Sequence, residues 1–375
     1  MDIIDVMLAK KIGGKSYTKS ETDALLANKQ DTYTADSTAW DTTPTANSTK
    51  PVTSGGTKEA LDAKQDVISA TNMLLSDFIV GTSESLSHNN LFRGANLTSK
   101  YTVAQLYTKV HAGDFSDLYL GDYINVSLST SLYKKFTGTE FAEGTTYYER
   151  SGTHPAWTYA ATTDTSYDSQ KTYYTMSTVT ETVAMMIAHF DYYMNVGDSS
   201  PITYHHVVLI PRTRLKTTSY MNPTNTTVGA YYGSEMHQTI LPCYAAAFSA
   251  ALEGHVRTYR DILTTAMTAA TPSMGGNGMN GAATTRAWQD TNIRLMNEVM
   301  VYGCHPWSSS GNDIGCDNRQ LGVFRFISPI QYERVYYWLS SVVSSAYFAS
   351  VIGTGIASCS GASTANSVRP LIVFG

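Results

Sequence analysis

Histidine, cysteine and carboxylate positions set the first limits on what this 375-residue chain can do. Adjacent His205 and His206, with Glu235 and His237 further on, offer imidazole and carboxylate groups of the kind that ligate zinc. Neighbouring residues of a strand point to opposite faces, so His205 and His206 cannot join one compact site. There is no His-Glu-x-x-His pair and no acidic calcium loop. Structural or hydrogen-bonding histidines are expected, with no metal and no cofactor. Cys243, Cys304, Cys316 and Cys359 lack the close pairing of a zinc site and the density of a disulfide framework, and they read as free thiols. No Gly-x-Ser-x-Gly elbow or phosphate-binding loop occurs. Asp313, Asp317 and Glu333 could supply the carboxylate pair of a glycosidase, but nothing in their spacing demands it. The chain is not expected to be an enzyme.

Binding is the better match to the residue types. Ser344, Ser345, Tyr347, Ser358, Ser360, Ser363, Thr364 and Asn366 crowd the C-terminal stretch, and Trp307 and Asn312 lie in a polar loop running to Asn318. Small hydroxyl and amide groups around an aromatic contact make adaptable hydrogen bonds at low entropic cost, so these ten residues are the candidate ligand site. The whole composition leans the same way. Charged residues are 15% of the chain against about 25% in ordinary soluble proteins, while there are 26 tyrosines. With Lys+Arg 26 against Asp+Glu 31, the net charge of -5 gives no footprint for a polyanion, so nucleic acid is not an expected partner. No apolar run approaches the ~20 residues of a membrane span, and the start lacks the basic region of a secretory signal, so synthesis in a cytoplasm is expected.

The elements that must position these residues divide the chain unevenly. In residues 1–80, Ile3 to Ile12 repeats with helical spacing, and a second helix opens with Ser20 and Asp23 as its cap box. A related phrase spans Lys58 to Asp66, and the Thr- and Ser-rich stretch Thr32 to Gly56 between them reads as a linker. Neither helix carries enough apolar surface to stand alone, so each must bury its stripe on another chain or on a neighbouring element. The region is either a loosely structured extension or a stalk in which identical helices associate around an axis. Residues 131–178 hold a duplication: Tyr133–Glu149 recurs at Tyr159–Thr175 without a gap. Each copy has two β-prone segments around a turn, and Tyr147, Tyr148, Tyr173 and Tyr174 are expected to form the module's own core.

Around this insert, strand character is read over Leu106–Val126, with a bulge or turn at Gly121, and buried strands over Val183–Phe190 and His205–Pro211. Three- and four-residue apolar spacing predicts a helix over Leu241–Met267, with Pro242 in its first turn, and another over Asp290–Val299. Strands are predicted at Val323–Ile327, Tyr336–Val342, Tyr347–Gly353 and Val368–Gly375, with Trp338 and Arg369 in structural roles.

Two stretches resemble known proteins. Tyr17-Thr18-Lys19-Ser20-Glu21-Thr22-Asp23-Ala24-Leu25-Leu26, and Asn47 to Gly56 with the helix phrase that follows, resemble the N-terminal and stalk phrases of bacteriophage tail fibres and minor structural proteins. The Tyr-Trp-Leu-Ser-Ser strand from Tyr337, the strand ending at Gly353 and the closing Val368-Arg369-Pro370 resemble the C-type-lectin-like domains that end many phage receptor-binding proteins. The resemblance implies an α+β fold: a C-type-lectin-like head from 81–130 and 179–375, a small β insert at 131–178, and an extended helical stalk before them. It implies a virion structural protein, a tail fibre or similar appendage, that binds a host surface glycan or protein through its C-terminal head. It further implies contacts to other virion proteins through the N-terminal region, and a homotrimer. A capsid or neck decoration protein used for adhesion, or a glycan-degrading tail enzyme, are the alternatives. The Glu-Pro-Asn, Gln-Pro-Asp and Trp-Asn-Asp motifs of calcium-dependent lectins are absent, so calcium-bridged sugar binding is not implied.

Overall fold

The computed structural model describes residues 18–34, 57, 88–154, 156–267, 283–308, 320–326 and 334–375. Its contacts divide the chain into Met1–Ile79 and Val80–Gly375. Among the described residues the helices are α1 (Lys19–Thr34), α2 (Val103–Ala112), α3 (Leu241–Ala251), α4 (Glu298–Tyr302) and α5 (Gly322–Phe326), with a π turn at Met236–Ile240 leading into α3. The strands are β1 (Tyr123–Lys135), β2 (Tyr147–Thr153), β3 (Ala156–Ala161), β4 (Tyr173–Phe190), β5 (Val207–Pro211), β6 (Thr218–Ser219), β7 (Val256–Arg257), β8 (Tyr259–Met267), β9 (Ala283–Thr291), β10 (Ile293–Leu295), β11 (Tyr337–Val342), β12 (Tyr347–Val351), β13 (Ala357–Gly361), β14 (Asn366–Ser367) and β15 (Pro370–Phe374).

The protein is mostly β, with 38% strand and 18% helix, and this overturns the expected α+β lectin-like fold carried on an extended helical stalk. In the first unit the described helix is α1. Its cap is Thr18 with Glu21, not Ser20 with Asp23: Glu21 Oε2 accepts from the Thr18 amide and hydroxyl, both at 2.8 Å. Glutamate has the reach to close this box and aspartate does not. The helices read at 3–12 and 58–66 lie outside the described residues.

Both upstream helices of the lectin-like reading are cut short. α3 stops at Ala251 because the chain turns through two left-handed residues, Glu253 (φ 54°) and Gly254 (φ 82°). Beyond that turn Tyr259–Met267 alternates in burial as a strand, with Asp261 and Leu263 inside and Arg260 and Ile262 less so. Asp290 lies in β9 rather than capping a helix; the true cap is Asn297, whose Oδ1 accepts from Met300 N–H at 2.8 Å to start the short α4. Val323 opens no strand but sits in α5. Likewise α2 replaces the first half of the strand read over Leu106–Val126. Thr102 and Gln105 form a complete capping box there, and Gly113 closes the helix in the left-handed region. Gly121 does turn the chain (φ 80°), and a Cβ on it would lie 2.2 Å from the Phe92 ring.

Two main sheets share the second unit. The larger has the order β10-β15-β5-β4-β2-β3, with β1 also on β4 and β7 on β15. The smaller runs β13-β12-β11-β14-β6. β15 is apolar on both faces: Ile372 and Phe374 enter one core with Trp338 and Phe348, while Leu371 and Val373 enter the other with Tyr337 and Leu339. A strand covered on both sides reads as an unbroken hydrophobic run, which is why the terminal strand was visible in sequence. Trp338 is fully buried and donates its indole N–H to Ser219 O at 2.8 Å. Arg369 is also fully buried and donates to the carbonyls of Pro211 and Arg212, each at 3.0 Å. Both are structural, as their sequence context suggested.

The duplicated stretch is built into the larger sheet, because β1 and β4 run across its borders. Its copies pair as an isologous set. Tyr148 faces its own repeat-mate Tyr174 across β2–β4, and Tyr147↔Thr175 mirrors Glu149↔Tyr173. On the flanks, Lys135↔Tyr174 mirrors Ala161↔Tyr148. A pseudo-two-fold axis therefore passes between β2 and β4. Tyr133 and its repeat-mate Tyr159 stack across it with ring centres 3.8 Å apart and planes 3° apart. Tyr147, Tyr173 and Tyr174 are buried, with Phe141 stacked on Tyr147 at 4.0 Å, so most of the paired tyrosines serve the module's own core.

Candidate functional site

The C-terminal residues expected to bind ligand are brought to one sheet but not to one surface. Cross-strand partners share a face. Ser360 opposes Phe348 and Ser358 opposes Ser350, so these serines face the core that holds Trp338 and Phe348; Ser350 and Ser360 hydroxyls lie 3.3 Å apart. Tyr347 lies on the other face, beside the second core that Cys359 also borders. Ser344 and Asn366 are buried, with 5% and 6% exposure. Trp307 is half-buried against the second core, and its backbone N–H reaches the Glu298 carboxylate at 3.2 Å. Burial raises the Glu298 carboxyl above the usual range, while the amides and hydroxyl around it oppose that shift. Asn312, with Asp313, Asp317 and Glu333, lies outside the described residues.

Ser345, Ser363 and Thr364 do come together, and they gather a partner that sequence reasoning missed. The turn after β11, the turn after β13 and the segment 221–228 meet at one end of the smaller sheet. Thr227 donates its N–H to Ser345 O at 3.0 Å and its hydroxyl to Ser344 O at 2.7 Å. Ala362 N–H donates to Ala346 O at 2.8 Å, and Ala362 O accepts from Met221 and Asn222 at 2.9 and 3.0 Å. Asn225 Oδ1 accepts both the amide and the hydroxyl of Ser363, at 3.0 and 2.8 Å. A Cβ on Gly361 would sit 2.7 Å from that oxygen, so glycine is what lets the two turns close. The outcome is a hydroxyl- and amide-bearing platform with Ser363, Thr364 and Val228 exposed. Only the Asn-Pro-Thr-Asn-Thr-Thr run at 222–227 hinted at it, and its contact with residues 361–364 is long-range.

A second concave feature lies between β1, β3 and α3. It is a groove of about 500 Å³ whose lining includes Tyr133, Trp157, Tyr159, Cys243, Ser131 and Asn292. Trp157 is fixed from outside the groove. Its indole N–H donates to Gln238 O at 2.6 Å, and the Arg150 guanidinium lies 4.1 Å over its ring. Arg150 also bonds Thr239 Oγ1 at 2.9 Å, and a His154 ring nitrogen lies 3.1 Å from His237 O. Carbonyls of the π turn are thus met by side chains from the duplicated module, as such turns require.

The described histidines serve packing and hydrogen bonding. His206 Nε2 accepts from Tyr193 N–H at 3.0 Å, which fixes the unprotonated nitrogen. His205 turns outward to Asp191, at 2.7 Å. His237 is buried among Tyr231, Tyr232 and His154, with neither ring nitrogen bonded to any of the described residues. No three His, Cys, Asp or Glu side chains among the described residues are grouped to hold a metal ion. Cys243 is a buried and Cys304 an exposed free thiol, Cys359 is half-buried, and Cys316 lies outside the described residues. No protein family matches this chain, and no curated protein and no solved structure matches it either.

Proposed function

We propose that this chain is a virion structural protein of a bacteriophage, a tail fibre or similar appendage, whose β-rich C-terminal head attaches to a receptor on the host surface. The observation that carries the reading is the platform of half-buried Ser345 with exposed Ser363, Thr364 and Asn225: uncharged, and tied down by hydrogen bonds from three segments before any ligand arrives. Preorganised polar groups bind without the cost of ordering loops. The phrase that resembles fibre proteins forms the capped helix α1, whose Leu25 and Leu26 are 54% exposed and offer a short apolar contact to other virion proteins. The test is flow cytometry of the fluorescently labelled full chain on a panel of bacterial strains. Binding to a subset of strains is expected, and Thr364→Arg, at an exposed position beside the Ser363–Asn225 bond, weakens it by about tenfold, or ~1.4 kcal/mol, with an unchanged melting temperature. Equal binding by the variant removes the platform, and no binding to any strain removes host attachment.

A further inference from the structure

We propose that the groove between β1, β3 and α3 is a binding site for an uncharged saccharide. It is separate from the platform and does not depend on the host-attachment reading. At about 500 Å³ it has the size of an ordinary small-ligand site.

One wall is aromatic and rigid. Trp157 is held by Gln238 and covered on one face by Arg150, which does not itself line the groove; beside it Tyr159 and Tyr133 stack on the pseudo-two-fold axis. The opposite wall, on α3, is of small residues, with Ala246 and Ala250 exposed. Ser129 and Ser131 come from the outward face of β1, where every second residue from Asn125 to Ser131 is exposed. The duplication shows how the space arose. In the pairing register Ser131 and Trp157 are equivalent, so one copy has an indole where the other has only a hydroxyl.

The chemistry selects the ligand. Among the described residues, no Lys, Arg, Asp or Glu lines the groove. Burial pushes the Cys243 thiol up to about 11 and raises the Tyr133 and Tyr159 phenols, so the wall is neutral at ordinary pH. A charged ligand would lose its hydration and find no counter-charge. Asn292 Oδ1 is buried in the lining with no donor among the described residues, which is costly unless a ligand supplies one. A pyranose meets all of these features. Its C–H face packs flat on an aromatic ring, and its rim of hydroxyls can donate to Asn292 and exchange hydrogen bonds with the serines.

The experiment is isothermal calorimetry, with saturation-transfer NMR, on the full chain and a set of neutral trisaccharides of glucose, galactose or N-acetylglucosamine. A uronic-acid trisaccharide and a short apolar peptide are the comparison ligands. At least one neutral trisaccharide is expected to bind with a Kd on the order of 1 mM or tighter. Trp157→Ala is expected to weaken it at least tenfold. So is Ala246→Trp, which fills the groove from an exposed helix position and leaves the fold intact. Thr364→Arg leaves saccharide binding unchanged, which separates this site from the platform. Binding of no neutral sugar, retention of affinity in Ala246→Trp, or preference for the acidic sugar or the peptide would each overturn the proposal.

Discussion

Replacing Arg294 with methionine lowers the unfolding free energy by about 3–5 kcal/mol, read as a shift of the urea midpoint at unchanged slope. Arg294 and Asp261 form an ion pair with both side chains nearly or fully excluded from solvent. Burial works against the charge on Arg294, but the Asp261 carboxylate together with Tyr193, Tyr259 and Tyr231 outweighs it and holds the guanidinium ionised. The pair joins three elements. Asp261 is in β8, Arg294 is in β10, and Arg294 Nη2 reaches the Ser340 hydroxyl of β11 at 3.1 Å. Tyr193 OH donates to Asp261 at 3.0 Å, and Ile262 N–H does so at 2.8 Å. Methionine fills much of the space but leaves a carboxylate in the core without its cation, and neutral donors cannot replace that charge. The matched replacement Arg294→Met/Asp261→Leu removes both charges and recovers most of the loss, because a buried ion pair contributes little beyond its apolar equivalent. If the single variant costs under about 1 kcal/mol, the pair is solvated in solution and this reading of the seam is wrong.

That seam illustrates what the sequence could and could not disclose. Strands buried on both faces, such as β5 and β15, are legible because every residue is apolar. β1 is legible in part, since its serines alternate with Ile124, Val126 and Leu128. Apolar spacing failed beyond Ala251: Val256, Tyr259, Ile262 and Leu263 fit a helical wheel, yet Gly254 and the β-branched Ile262, Thr264 and Thr265 favour a strand after a left-handed turn. Local pattern cannot weigh a single turn against a face, and the turn decided it. The duplication was plain in sequence, but its isologous pairing was not. Symmetry of pairing depends on register, which the β2–β4 contacts fix. Of the candidate site, the small polar residues were legible as a type and their exposure was not. Ser344 and Asn366 are buried because the turns they flank are tied to residues 221–228, a contact more than a hundred positions away in sequence.

Acidification from pH 6.5 destabilises the protein through its buried histidines, and His237→Phe removes one proton's share of that loss. Burial is the main reason that both His206 and His237 titrate below the usual histidine range. At His237 the effect is compounded by His154 and Arg294, whose positive charge disfavours a second cation. His206 keeps Nε2 unprotonated to accept the Tyr193 amide, so protonation also breaks that bond. A histidine depressed in the folded state binds its proton more readily when unfolded. Its stabilising effect is complete above the unfolded pKa near 6.5 and is lost as pH falls toward the lower folded value. One such group can contribute a slope of at most about 1.4 kcal/mol per pH unit, and only between its folded and unfolded values.

The buried carboxyls act in the opposite direction. Burial raises Glu235, Glu298 and Glu181, so their protonation as pH falls through the raised folded values favours the folded chain and masks part of the histidine effect. The wild-type curve alone is therefore ambiguous, and the difference between wild type and His237→Phe is the quantity to measure. Phenylalanine keeps a ring among Tyr231, Tyr232 and His154, with no nitrogen left unbonded. Urea titrations at half-unit steps from pH 8 to 5 are expected to give a constant difference above 7. Below 6.5 the difference shifts in favour of the variant, with a slope that does not exceed the one-proton limit of about 1.4 kcal/mol per pH unit. Parallel curves over the whole range would show that His237 takes up its proton within the folded state, and that the space around it admits the water this packing excludes.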